Sequence, residues 1–314
     1  MKPVLHINAG VGWSGTKPLC FTFERIGYTQ WKPETEYQML YYMWERKYKP
    51  EHAKYYWETH HSLRTDHLTK ATGRKYKLDF IKEDTTLDFY IQYMKSRLED
   101  GYRGVSDFSN SNGDLPGKFL KEIAPTLEEH FDVRITMIFR NPIRRSYSQI
   151  SNWYKNFTDQ ENADDAWKAN DENVIKRWKK IKERYPDSIS YWRQQLIERD
   201  PTFLRSYVET YKNYKSAFTK VFPLVMEEVW EDPSSLSNFI GHDIDEMDLN
   251  LYFPERGTNM PKIKGSKHQY DSDMQTLSKD DLKYGREKLD WLYKEFKTQF
   301  GYIPPSWQEY DQKS

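Results

Sequence analysis

The stretch VRITMIFRNPIRRSYSQI, residues 133–150, decides how the chain is read. Its first seven residues, Val133 to Phe139, are apolar or β-branched apart from Arg134 and are bounded by Asp132 and Arg140, which is the pattern of a buried strand. Asn141-Pro142 then makes a turn. Pro142 suits the first turn of a helix, where its missing N–H is not needed, and that helix carries Arg144, Arg145, Tyr147 and Ser148. A strand passing through a tight turn into a helix is the repeating unit of an α/β sheet.

The same unit recurs outward from this stretch. Between Lys2 and Cys20 an apolar run at Val4, Leu5 and Ile7 meets a bend rich in glycine at Gly10, Gly12 and Gly15. It continues into the helix-compatible LCFTFERIG. Further on, Tyr207 to Phe218 reads as a helix, Leu224 to Met226 as a short buried strand, and Ser234 to Ile240 as a helix after Asp232-Pro233. The tail from Ser278, with Asp280 and Asp281 in its first turn, reads as one long helix up to Phe300. Strands separated by helices predict an α/β fold with a central, mainly parallel sheet flanked by helices. With no composition break that would serve as a linker, residues 1–314 are expected to form one domain. Segments 36–100 and 159–206, rich in Tyr, Trp and charge, read as helical insertions.

Composition narrows the function. The chain has 314 residues, and 48 Lys+Arg balance 48 Asp+Glu, so it lacks the basic excess of proteins that coat nucleic acid or anionic membranes. The hydrophobic share is 37%, yet aromatics reach 16%, and an aromatic core offsets the scarcity of aliphatics. No segment approaches the roughly 18 apolar residues of a membrane span, His6 and Asn8 interrupt the apolar start, unlike the apolar region expected of a signal peptide, and the single Cys20 has no partner for an intrachain disulfide. A cytoplasmic location is the expectation, and the sequence leaves the oligomeric state open.

The bend GVGWSGTK, residues 10–17, nearly spells the nucleotide loop GxxxxGK[ST], with the last two positions exchanged as Thr16 and Lys17. In that loop the hydroxyl after the Lys binds magnesium, so the exchange leaves a metal without its usual first ligand. A loop of this kind still turns backbone N–H groups and a helix N-terminus toward an anion. Arg140 and Ser148, at the end of a strand and on the next helix, can address an anion beside the same sheet edge. Arg145 is expected to face solvent or an acidic partner, because one helical turn cannot aim Arg140, Arg144 and Arg145 at a single phosphate.

Here the sequence resembles the sulfotransferase family. IFRNPIRRSYSQI looks like that family's strand-to-helix motif, in which an Arg and a Ser at this separation hold the 3'-phosphate of 3'-phosphoadenosine 5'-phosphosulfate. VGWSGTKPL is similar to its 5'-phosphosulfate loop, K-x-G-T-[ST]-x-L, and FPLVMEEVWEDPSSLSNFIG to a strand, acidic segment and helix late in many members. The resemblance implies a nucleotide-kinase-like α/β architecture and transfer of a sulfuryl group to an acceptor hydroxyl, on a carbohydrate or glycan, without a metal. It places Trp13, Ser14, Gly15, Thr16, Lys17, Arg140 and Ser148 on the donor, with product 3'-phosphoadenosine 5'-phosphate. Lys264 or Lys267, in the basic loop PKIKGSKH, would complete the 3'-phosphate site.

The chain departs from the family at Trp13, where the loop normally has Lys. Lys17 is expected to act from the next helical position, neutralising charge on the leaving oxygen; the alternative is a Lys17 that faces solvent. For the general base, Lys32-Pro-Glu-Thr-Glu-Tyr37 resembles the family's K-E-x-x-aromatic segment with one residue inserted. That spacing selects Glu34, with Glu36 the alternate, while His60, His61 and His67 are the imidazole candidates. Tyr55, Tyr56, Trp57, Trp153, Trp178 and Trp192 are either acceptor walls or core. The rival readings are an ATP-dependent kinase and a non-catalytic nucleotide- or glycan-binding module of the same fold.

Overall fold

The computed structural model describes residues 2–12, 14–28, 38–51, 86–99, 101–158, 172–198, 204, 206–244 and 277–312. In chain order the elements are β1 (Val4–Asn8), α1 (Thr16–Arg25), α2 (Met39–Tyr48), α3 (Leu87–Glu99), β2 (Gly104–Asp107), a 3-10 turn (Asn110–Asp114), α4 (Gly117–His130) and β3 (Asp132–Phe139). They continue as α5 (Pro142–Thr158), α6 (Glu172–Arg184), α7 (Ser188–Glu198), α8 (Tyr207–Lys215), β4 (Val221–Val225), α9 (Met226–Glu231) and α10 (Ser234–Ile240). The last three are α11 (Lys279–Lys288), α12 (Asp290–Phe300) and α13 (Pro305–Gln312).

The four strands form one sheet in the order β2-β1-β3-β4, parallel throughout, with Ile7 opposite Asp107 and Ile135, and Phe139 opposite Val225. A parallel sheet is covered on both faces, so its central strands bury consecutive residues. Ile135 to Phe139 are buried without a break. Alternation still separates two cores: Ile135, Met137 and Phe139 pack with α4, α8 and α12, whereas Ile138 and Leu224 pack with Leu19 and Phe23 of α1 and with Leu236 and Ile240 of α10. Among the described residues no helix is long and apolar enough to cross a membrane.

Most of the expected elements form, and the differences have local causes. The strand expected over 224–226 covers Val221–Val225, and Met226 already opens α9. The tail is two helices, because the chain turns at Leu289, which closes α11 and opens α12. That break lets Gly285 sit against the ring of Trp192 while Phe296 packs on Phe139. β2 carries no readable strand pattern, since GVSD has one apolar side chain, yet all four residues are buried. Gly104 is required there: a Cβ would come within 2.6 Å of the Tyr28 ring. Trp192 belongs to the core, fully buried, with its Nε1 donating to Ser146 Oγ at 3.0 Å, so it is no acceptor wall.

Candidate functional site

The order β2-β1-β3-β4 makes the chain leave β1 toward one edge of the sheet and β3 toward the other. Neighbouring strands whose connections diverge leave a crevice at their C-terminal ends, and that is where open α/β sheets bind ligands. The two loops singled out in the sequence, 10–17 and 140–148, follow β1 and β3. The fold therefore sets them side by side at the switch point, although roughly 130 residues separate them in sequence.

The β3–α5 junction is built on Asn141. Its Oδ1 caps α5 by accepting from the N–H groups of Ile143 at 3.0 Å and Arg144 at 3.4 Å, and it accepts the Tyr293 hydroxyl at 3.1 Å. Its own backbone N–H donates to Glu227 Oε1 at 2.9 Å, and the other carboxylate oxygen accepts from Trp307 Nε1 at 3.1 Å. The carbonyl of the preceding residue, Arg140, accepts the Tyr207 hydroxyl at 2.6 Å. Arg140 is buried by this arrangement at the end of β3. Ser148 is half-buried on α5, four residues after Arg144 and therefore on the same helix face.

Arg145 overturns the expectation of a solvent-facing side chain. It is 3% exposed, its Nε donates to the Gly12 carbonyl at 3.3 Å, and its guanidinium lies over the Tyr207 ring at 4.9 Å. Burial pushes it below the ordinary arginine value, and the neighbouring Tyr207 opposes that shift. The aromatic face and hydrogen bonds compensate a charge that would otherwise be costly to bury.

The β1–α1 junction is built differently. Gly10 (φ 80°) donates its N–H to Asn8 Oδ1 at 2.8 Å and accepts from Ile138 N at 2.8 Å, tying the loop's start to β3. Gly15 is the N-cap of α1 in a left-handed conformation (φ 98°), and a Cβ there would come within 3.0 Å of Met226. It brings no side chain to cap the helix, so the first-turn N–H groups are left to other partners. Ser14 is buried and its hydroxyl has no hydrogen-bond partner. The same holds for the amide nitrogens of Asn8 and Asn141, at the ends of β1 and β3. Three unsatisfied hydrogen-bonding groups at one sheet edge are unusual for a folded interior, and all can donate to an anion.

A third wall follows β2. Asp107 accepts the N–H and hydroxyl of Ser109 at 2.9 and 2.5 Å and the Tyr90 hydroxyl at 3.1 Å. Burial pushes its carboxyl up while those hydrogen bonds pull it down. With both oxygens engaged and the residue fully buried, Asp107 is a brace and not a base. The 3-10 turn it supports approaches the glycine loop: Thr16 Oγ1 donates to Asn110 Oδ1 at 3.5 Å, and Asn112 Nδ2 to the Asn8 carbonyl at 3.4 Å.

Ser14, Gly15, Thr16, Arg140 and Ser148 are thus distributed over the two junctions. Lys17 is the second residue of α1, with its side chain outside what the structure describes. Trp13, Glu34, Glu36, Tyr37, His60, His61, His67, Lys264 and Lys267 lie outside the described residues, as do Tyr55, Tyr56 and Trp57. Sequence reasoning missed Asn8, Asn141, Tyr207, Glu227 and Arg145. For Asn141 the signal was present, since Asn is a favoured helix cap just before a proline.

Fold and site together define an α/β protein whose crevice, at the switch point of a parallel sheet, is lined by a glycine loop and a buried arginine. A comparison with solved structures finds similarity to a sulfotransferase from Alicyclobacillus acidocaldarius, 15% identical, with a TM-score of 0.42, covering 98% of this chain and 99% of that one. No protein-family model and no curated protein matches the chain.

Proposed function

We propose that the chain is a sulfotransferase that uses 3'-phosphoadenosine 5'-phosphosulfate and acts on an acceptor hydroxyl of a carbohydrate or other glycan. The observation that carries this reading is the pairing of the 10–17 and 140–148 loops across neighbouring strands β1 and β3 at the switch point. The donor fits the residues present: Ser14 Oγ, Asn8 Nδ2 and Asn141 Nδ2 are buried without partners, and the N-cap of α1 is a glycine.

In this reading the backbone of Ser14, Gly15 and Thr16 holds the 5' end of the nucleotide and Arg140 with Ser148 holds the 3'-phosphate, joined by Lys264 or Lys267. When bound, the donor supplies a sulfuryl group activated by its link to phosphate. The protein's part is in-line positioning and positive charge. Lys17 neutralises charge on the leaving oxygen. Glu34 takes the acceptor's hydroxyl proton, with Glu36, His60 and His61 as the other candidates, and the acid limb of a pH–rate profile separates carboxylate from imidazole.

The test is thermal shift with 3'-phosphoadenosine 5'-phosphate against ATP with magnesium. A ligand at about 100 times its Kd stabilises the folded state by about 2.7 kcal/mol, so the bisphosphate should raise Tm clearly. A shift with ATP and magnesium alone would redirect the reading to a kinase. No shift with either removes the nucleotide site.

A further inference from the structure

We propose that Arg145 is the positioning residue of the crevice, tethering the glycine loop to the β3–α5 junction through the Gly12 carbonyl. The role in donor binding rests on the reading above; the tether itself does not.

The three glycines of the loop are held in different ways. Gly10 is fixed by the ladder to Ile138, and Gly15 by its close approach to Met226. At Gly12 a Cβ would meet none of the described residues within 4 Å, chain neighbours aside. A residue without a Cβ restricts its own backbone least, and a turned peptide plane would present a carbonyl dipole where an anion needs N–H donors. The bond from Arg145 Nε to the Gly12 carbonyl at 3.3 Å opposes that turn.

Arg145 is itself well mounted. Its backbone N–H makes a 2.9 Å helical bond to the carbonyl of Asn141, whose N–H is held by Glu227. Its guanidinium rests on the ring of Tyr207, whose hydroxyl is anchored on the Arg140 carbonyl. The line of contacts therefore runs from the fixed junction to the loop. It requires arginine and not simply a cation: a planar guanidinium can lie on a ring while its Nε points sideways, whereas a lysine ammonium is a compact head with no such fork.

The experiment compares wild type, R145K and a control, I240V, in the core that Ile240 shares with Leu19 and Phe23. Two quantities are read: Kd for 3'-phosphoadenosine 5'-phosphate, and hydrogen exchange of the 9–16 peptide without ligand. R145K should weaken binding by about tenfold or more, in line with the sensitivity of such sites to small displacements. It should also speed exchange at 9–16 relative to the sheet peptides. I240V should lower Tm while leaving Kd unchanged, which separates positioning from general destabilisation. Adding G12A to R145K, which narrows the backbone freedom of the loop without a clash, should recover part of the lost binding.

Wild-type Kd in a folded R145K, or unchanged exchange at 9–16, overturns the proposal. Should R145K not fold, Y207F keeps the ring but removes the hydroxyl that anchors it on the Arg140 carbonyl beneath the guanidinium, and faster exchange at 9–16 supports the tether while unchanged exchange overturns it. If wild type itself does not bind the bisphosphate, the donor reading fails, and the tether is still decided by exchange.

Discussion

The two strand-to-helix junctions that meet at the switch point solve the same geometric problem in opposite ways. After β3, Asn141 caps the helix, Glu227 holds the turn, and hydroxyls from Tyr207 and Tyr293 close onto the Arg140 carbonyl and Asn141 Oδ1. After β1, glycines set the path, the helix N-cap is a residue without a side chain, and the buried Ser14 hydroxyl has no partner. The first junction caps its own helix start, leaving open the Asn141 amide nitrogen, and so serves as a mount for Arg140 and Arg145. The second leaves its donors open, a state that costs stability unless a ligand uses them. Rigidity on one side and open donors on the other are the division of labour expected of an anion site.

The widest separation between the junctions should come from Lys17→Ala. If the open junction carries the reacting group, this substitution lowers turnover by about 10² to 10³, the loss typical of removing one preorganised charge-stabilising group. Steady-state sulfation measured beside bisphosphate affinity checks it. Unchanged turnover takes Lys17 out of the chemistry and leaves the β1–α1 loop a binding element alone.

Asn141→Ala attacks the mount. It removes a helix cap and strands the buried Tyr293 hydroxyl, so urea denaturation should show a loss of about 2–3 kcal/mol at an unchanged m-value. A variant as stable as wild type would show that the β3–α5 junction is no more fixed than its neighbour, and the contrast would collapse.

The contrast also marks what could be read from sequence. The strand before each junction was legible because a buried parallel strand shows as a short run that is mostly apolar or β-branched, as Val133 to Phe139 does apart from Arg134. The turns were legible because Gly and Pro punctuate them. What stayed hidden depends on residues far away in the chain: Glu227 holds an N–H 86 positions back, Tyr207 a carbonyl 67 back, and Arg145 a carbonyl 133 back. Arg145 on a charged helix reads as surface, and only Tyr207 and the loop packed over it make it interior. β2 was missed for the same reason, because its polar Ser106 and Asp107 are made tolerable by α3 and by the turn that follows.

Acid should act on the strand pair that supports both junctions. His6 of β1 is buried against Phe23, and its Nε2 and Thr136 Oγ1 of β3 share a 2.7 Å hydrogen bond; burial, with the charge of Arg134 adding to it, lowers its pKa from 6.5 to about 3. Between those values the unfolded chain binds a proton that the folded chain refuses. Stability therefore falls as pH drops from 6.5 toward 3 and is insensitive to this group above 6.5. The slope is about 1.4 kcal/mol per pH unit, or about 2 kcal/mol by pH 5. His6→Gln should flatten that part of the stability–pH curve relative to wild type; parallel curves would mean that His6 protonates in place.

The finest discrimination comes from Ser14→Ala, where stability and binding should move in opposite directions. Deleting a buried hydroxyl that has no partner removes a desolvation cost, so the ligand-free protein should be as stable as wild type or more so, by at most about 1 kcal/mol. The same hydroxyl is one of the donors left open after β1, so affinity for the bisphosphate should fall. A purely structural serine would lose stability and leave affinity alone. If Ser14→Ala destabilises the ligand-free chain, the hydroxyl is satisfied within the fold, and the β1–α1 junction would then resemble its neighbour in closing its own hydrogen bonds.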